Sequence, residues 1–120
     1  MPIARFSLVA LDCPDPLALA DFYAQIVGGV PEVQTESDWV QLRLDTGTHL
    51  AFQQAADHEP PGWPDGPPQQ SHLDFDVDDL DEGERAVLAI GARKSPTQPR
   101  PESWRVFLDP AGHPFCLVLA

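Results

Sequence analysis

Polar and apolar residues alternate in the clearest stretches of this chain. In SHLDFDVDDLD (Ser71 to Asp81), His72, Asp74 and Asp76 interleave with Leu73, Phe75 and Val77. An extended strand sends these two sets to opposite faces. The same period runs through Trp39 to Asp45, separating Val40, Leu42 and Leu44 from Trp39, Gln41 and Arg43. In Ser103 to Asp109 it separates Trp104, Val106 and Leu108 from Ser103, Arg105 and Phe107. After acidic turns the period lengthens to that of a helix, with apolar Leu17, Ala20, Phe22, Tyr23 and Ile26 in one stretch and Ala86, Val87, Leu88 and Ile90 in another. Gly28 and Gly91 follow as left-handed stops. The turns DTGT and DPAGH carry the Asp, Pro and Gly chemistry of tight hairpins. Each half therefore predicts a βαβββ unit.

The halves also resemble each other. Shifted by 64 residues, LDTGTHLAF (Leu44 to Phe52) lies on LDPAGHPFC (Leu108 to Cys116), and upstream Asp12 falls on Asp76, Asp15 on Asp79 and Ile26 on Ile90. A constant offset over so long a span predicts two copies of one unit. The first covers about 4–54, opening on a strand from Ala4 to Asp12, and the second covers 72–120, opening on His72 to Val77. Between them, residues 55–71 hold five prolines and two glycines in 17 positions, which predicts a crossing loop and excludes a helix or central strand.

Composition narrows the classes of function. A chain of 120 residues suits one domain. Its formal net charge of −12 repels phosphate backbones and anionic membranes, so neither nucleic acid nor a membrane is an expected partner, and a cationic or neutral small molecule is not disfavoured. Cys13 and Cys116 show no CxxC spacing, and neither a signal peptide nor a long apolar run is evident. A reduced, cytoplasmic protein is expected.

The second copy opens HLDFDVDDLDEGERAVLAIGA and closes WRVFLDPAGHPFCLVLA. With the duplicated βαβββ pattern, these segments resemble the vicinal oxygen chelate superfamily, especially its glyoxalase-like, bleomycin-resistance-type single domains. The resemblance implies an α+β fold in which two βαβββ repeats form a cupped, mainly antiparallel sheet with helices on the convex face. It also implies a ligand site in the cup and assembly as a homodimer. Metal-dependent members place ligands, commonly His or Glu, in the first and last strands of each unit. Carried over by the 64-residue repeat, these positions are Leu8, Phe52, His72 and Cys116. Leucine and phenylalanine have no donor atom, and the apolar neighbours of Cys116 favour a neutral thiol. No cofactor is expected, and His72 is the sole weak candidate for a divalent metal.

Assigning the uniformly apolar strand faces to the helices leaves Trp39, Gln41, Arg43, Phe52, His72, Asp74, Arg105, Phe107 and Cys116 as the expected ligand-binding set, together with Leu8 and Ala10. An aromatic lining with few polar groups suits a small organic ligand. Trp63, in PPGWPDGPP, is expected to act as a lid over the cup or an anchor for the loop. His49 and His113 read as turn formers, and His58 falls in the proline-rich loop. The expected function is metal-independent binding of a small organic ligand, such as a drug or toxic metabolite held for sequestration. The alternatives are a metal-dependent lyase, isomerase or dioxygenase using His72, and a metal-free enzyme with His72 as general base.

Overall fold

A computed structural model describes residues 2–3, 5–34 and 38–120. The chain divides into two compact units, Met1–His58 and Glu59–Ala120. The first contains β1 (Leu8–Cys13), α1 (Pro16–Val27), β2 (Pro31–Val33), β3 (Trp39–Arg43) and β4 (His49–Gln54). The second contains β5 (Leu73–Val77), α2 (Leu80–Ala89), β6 (Arg93–Lys94), β7 (Trp104–Leu108) and β8 (Pro114–Leu119). Two βαβββ units in the α+β class are thus present, each with its own four-stranded sheet, in the orders β1-β4-β3-β2 and β5-β8-β7-β6. In each sheet the first and last strands of the unit run parallel, and the other pairs are antiparallel. The expected strand start at Ala4 lies outside the described residues. Residues 55–72 carry no helix or strand, as the prolines require.

The acidic turns cap the helices. Asp15 accepts a hydrogen bond from the Ala18 N–H (3.2 Å), with Pro16 opening α1 where its missing N–H costs nothing. Asp79 accepts from Glu82 N–H (3.0 Å), and Asp81 and Glu82 favour the positive end of the α2 dipole. Gly28 takes a φ of 83° just beyond α1. The faces turned to the sheets differ in detail from expectation. Leu19, Ala20, Phe22 and Tyr23 of α1 and Leu80 and Val87 of α2 are buried, whereas Leu17 and Leu88 are exposed.

In the first unit Tyr23 stacks on Phe52 with ring centroids 5.7 Å apart, and Phe22 meets Tyr23 edge-on at 5.0 Å. Register places Val40 opposite Phe52 and Leu42 opposite Leu50, so all four lie on the face beneath α1. The second unit repeats this with Phe115, which stacks on Phe107 at 5.7 Å and meets Phe75 edge-on at 5.9 Å. A Cβ added to Gly83 would stand 3.1 Å from Leu117 and 3.3 Å from Val77, so the missing side chain lets α2 approach the sheet closely.

These contacts reverse three expected placements. Phe52 lies beneath α1, away from the expected binding face, and Arg105 and Phe107 lie beneath α2. The cause is a one-residue change in the repeat. The caps Asp15 and Asp79 keep the 64-residue offset, but the hairpin pairs Val40–Phe52 and Leu42–Leu50 correspond to Arg105–Leu117 and Phe107–Phe115, an offset of 65. With a side-chain period of two, a shift of one residue exchanges the two faces of a strand. Trp104, Val106 and Leu108 therefore occupy the face that Arg105 and Phe107 were expected to line. The counterpart of Cys116 is Ala51, since Ala10 pairs with Ala51 as Asp74 pairs with Cys116.

Candidate functional site

On the face of the second sheet turned away from α2, three chemistry-bearing groups converge. His72 immediately precedes β5, Asp74 lies within it, and Cys116 is its register partner on the parallel strand β8. One ligand-capable atom from each lies within 4.8 Å of the others. His72 Nε2 stands 3.2 Å from Asp74 Oδ1, with both side chains about half exposed. Cys116 is buried at 9% exposure. Burial pushes its thiol pKa up to about 11, helped by the charge of Asp74 and by the hydrogen bond that the thiol gives to this carboxylate. The neutral thiol anticipated from the Phe115-Cys116-Leu117 context is what the environment favours. At neutral pH it is a weak donor and a poor nucleophile.

The neighbours on this face are apolar. Val106 pairs with Cys116, Trp104 with Val118 and Leu108 with Pro114. Val106 is buried and Trp104 half-buried. Alternation alone places Trp104 and Val106 on the helix side, and the structure turns them away from it. The signal against that lay in Asp81 and Glu84, three positions apart on α2 and so on one side of it, which mark where the guanidinium of Arg105 must point. Arg105 donates to Asp81 at 2.9 Å, to Glu84 at 3.2 Å and to the carbonyl of Pro101 at 2.8 Å.

In the first unit, Trp39, Gln41 and Arg43 do share the face turned from α1, as expected. Trp39 Nε1 donates to Gln41 Oε1 at 3.3 Å, and exposed Arg43 pairs with Glu32 at 3.1 Å. The positions that match His72, Asp74 and Cys116 are Leu8, Ala10 and Ala51, none with a donor side chain. Trp63 is half-buried in the loop that precedes β5. That loop closes on itself through Gly62 N–H to the Pro67 carbonyl (2.8 Å) and a bond from Gly66 N–H to the Gly62 carbonyl. Pro60 lies so close to Gly112 that no Cβ would fit there.

The remaining histidines serve turns. His49 Nδ1 accepts from Leu44 N–H at 3.2 Å, and the backbone N–H of His113 donates to Asp109 at 3.0 Å. Asp109, fully buried, also accepts from Ala111 N–H at 2.8 Å. The DPAGH segment is therefore a carboxylate-organised hairpin. A metal centre drawing on the first and last strands of both units does not fit the residues present. Corrected for register, its four positions hold Leu8, Ala51, His72 and Cys116, and two of these are hydrocarbon.

The model of the glyoxalase-like domain family matches residues 8–118. Among solved structures, a protein from Agrobacterium tumefaciens superposes with a TM-score of 0.74 at 18% identity, covering 98% of both chains. The fosfomycin resistance protein FosX from Mesorhizobium loti gives 0.71 at 17% identity, covering 99% of this chain and 94% of its own. A glyoxalase/bleomycin resistance protein/dioxygenase family enzyme from Burkholderia phytofirmans PsJN gives 0.66 at 23% identity, covering 95% and 97%. No curated protein matches the sequence significantly. No helix among the described residues is long and apolar enough to cross a membrane. With two βαβββ units in the expected topology and a family match along nearly its whole length, the chain belongs to the glyoxalase-like domain family of the vicinal oxygen chelate superfamily.

Proposed function

We propose that this protein binds a small amphiphilic organic molecule, preferably a cationic one, on the sheet face that carries His72, Asp74 and Cys116, and does so without the family's metal centre. One observation carries this reading: polar groups converge on a face otherwise lined by Trp104, Val106 and Leu108. An apolar lining with a few convergent polar groups is the composition of small-molecule sites. Asp74 supplies a carboxylate for a positive group, and the net charge of −12 draws cations in. Fosfomycin resistance and bleomycin resistance appear in the names of structural relatives, and sequestering a drug or toxic metabolite fits a site with no activated nucleophile.

The test is tryptophan fluorescence titration with a panel of aromatic ammonium compounds and their neutral isosteres. Saturable quenching by the ammonium members, weakened at least about tenfold in Asp74→Asn, is expected. Failure of every member to saturate, or equal affinity in Asp74→Asn, would overturn the reading.

The contact of Asp74 with His72 favours a second reading, a metal-free enzyme with His72 as general base, because a carboxylate can orient an imidazole for proton transfer. Metal-independent turnover abolished by His72→Ala would select it. A cytoplasmic homodimer completes the proposal, and light scattering should give twice the 13.2 kDa chain mass. A monomer mass at micromolar concentration would refute the dimer.

A further inference from the structure

We infer that the ligand of this face is bipolar, an elongated amphiphile with an ammonium group held at Asp74 and a carboxylate or similar anionic group held by Arg93 at the opposite edge of the sheet. This rests on the proposed binding of a cationic molecule to the same face and adds what its far end must carry. Arg93 belongs to β6, where it pairs with Leu108, and Leu108 pairs in turn with Pro114. The neighbouring Lys94 bonds Glu84 on α2 at 3.0 Å, so alternation sends the Arg93 side chain to the face turned from the helix. There it shares a face with Leu108, Val106, Trp104, Cys116 and Asp74.

Charge is sorted across this face in strand order. Asp74 and Asp76 are exposed on β5, the middle strands β8 and β7 present uncharged side chains, and β6 presents a guanidinium. Arg43, Lys94 and Arg105 each pair with a carboxylate, whereas exposed Arg93 pairs with none among the described residues. The backbone beside it is fixed. Ser95 N–H donates to the Val106 carbonyl at 3.0 Å, and the Gln98 side-chain amide accepts from Val106 N–H at 2.9 Å and donates to the Val106 carbonyl at 2.8 Å. Three inter-strand steps of about 4.8 Å separate β5 from β6 by about 14 Å, and an arginine stem leaning inward leaves the two charges on the order of 10 Å apart. That span suits an aromatic body lying over Trp104 and Val106. A protein of net charge −12 repels an anion at long range, so an acidic group gains affinity here through a local cation. The planar guanidinium supplies one, with paired N–H donors matched to a carboxylate.

Calorimetric titration of the full chain tests the inference with a biphenyl carrying an ammoniomethyl group at one para end and a carboxylate at the other, beside its methyl ester. A salt concentration of about 0.15 M screens fields beyond about 8 Å, so the comparison reports local contacts. The acid should bind at least about tenfold more tightly than the ester. Arg93→Gln should abolish or reverse this preference, and Arg85→Gln, the same loss of charge at an exposed position of α2, should keep it. Para-ammoniomethyl benzoate, too short to span the sheet, should show no preference over its own ester. Equal affinity of the biphenyl acid and ester would overturn the inference. So would a preference that survives Arg93→Gln, that vanishes equally in Arg85→Gln, or that the short acid shares. In each of these cases binding of the ester, weakened in Asp74→Asn, would leave the cationic site standing. Failure of the biphenyl acid and ester alike to bind would overturn both readings.

Discussion

Arg105→Ala separates a residue that supports the fold from one that binds ligand. The guanidinium faces α2, and the hydrogen bond to Asp81 outweighs burial and raises its pKa above the ordinary value, with Glu84 contributing in the same sense. The three partners differ in worth. Asp81 is 72% exposed, so its ion pair contributes about 0.2–1 kcal/mol. The Glu84 pair, with both side chains about one-fifth exposed, and the bond to the Pro101 carbonyl add about 1 kcal/mol each. Neighbouring terms are not additive, so the expected loss is about 1.5–3 kcal/mol. Urea denaturation should show it as a lower midpoint at constant m-value. Affinity for aromatic ammonium compounds should stay within about twofold of the parent, since a shift that small is under 0.5 kcal/mol. Parent-like stability with lost binding would place Arg105 on the binding face and refute the register described above.

Phe52→Ala should destabilise by about 3–5 kcal/mol, because it removes a fully buried ring stacked on Tyr23. Calorimetry that finds less than about 1 kcal/mol would contradict its place in the core. Asp109→Ala should cost about 2–4 kcal/mol, since it strips acceptors from the N–H groups of Ala111 and His113 in a buried turn. A chemical melt unchanged by this substitution would show that the hairpin closes without the carboxylate. Cys116 predicts a specific pH dependence. Its folded pKa of about 11 exceeds the ordinary value of 9.0, so the fold binds the proton more tightly than the unfolded chain does. The resulting stability is complete below about pH 9 and is lost as pH rises towards 11. Cys116→Ala should flatten the fall relative to the parent between those values, and identical pH profiles would count against the shift.

Local chemistry made the elements legible in the sequence. Asp15 and Asp79 cap helices because an acceptor stands just ahead of an amphipathic run, and the prolines of residues 55–71 exclude regular structure by removing N–H donors. Period-two alternation also grouped His72 with Asp74 and Trp39 with Gln41 and Arg43 correctly. What alternation leaves undetermined is which group faces the helix. In Trp104 to Leu108 both faces are substantially apolar, and the arginine is held under α2 by acids distant in sequence. The 64-residue repeat matched the caps but slipped by one in the hairpin, where LDTGTH and LDPAGH align by turn chemistry although the strands pair one position later. Turn residues report the turn, whereas facing is settled by packing against the helix.

The same correction explains why the chemistry is concentrated in one unit. Once β4 and β8 are aligned by their pairing with β1 and β5, His72, Asp74 and Cys116 correspond to Leu8, Ala10 and Ala51. Both copies keep the capped helix, the parallel pairing of the unit's first and last strands and the aromatic layer beneath the helix, because loss of any of these exposes apolar surface or orphans backbone donors. The face turned from the helix is freer to change. In one unit it carries donors around a carboxylate, and in the other small or apolar residues beside Trp39 and Gln41. A duplicated fold can therefore retain its architecture twice while placing polar recognition once. The groups that remain there are an imidazole beside a carboxylate and a buried, neutral thiol. Binding of aromatic ammonium compounds measured on Asp74→Asn, beside Arg105→Ala as the helix-side control, distinguishes the polar face from the support behind it.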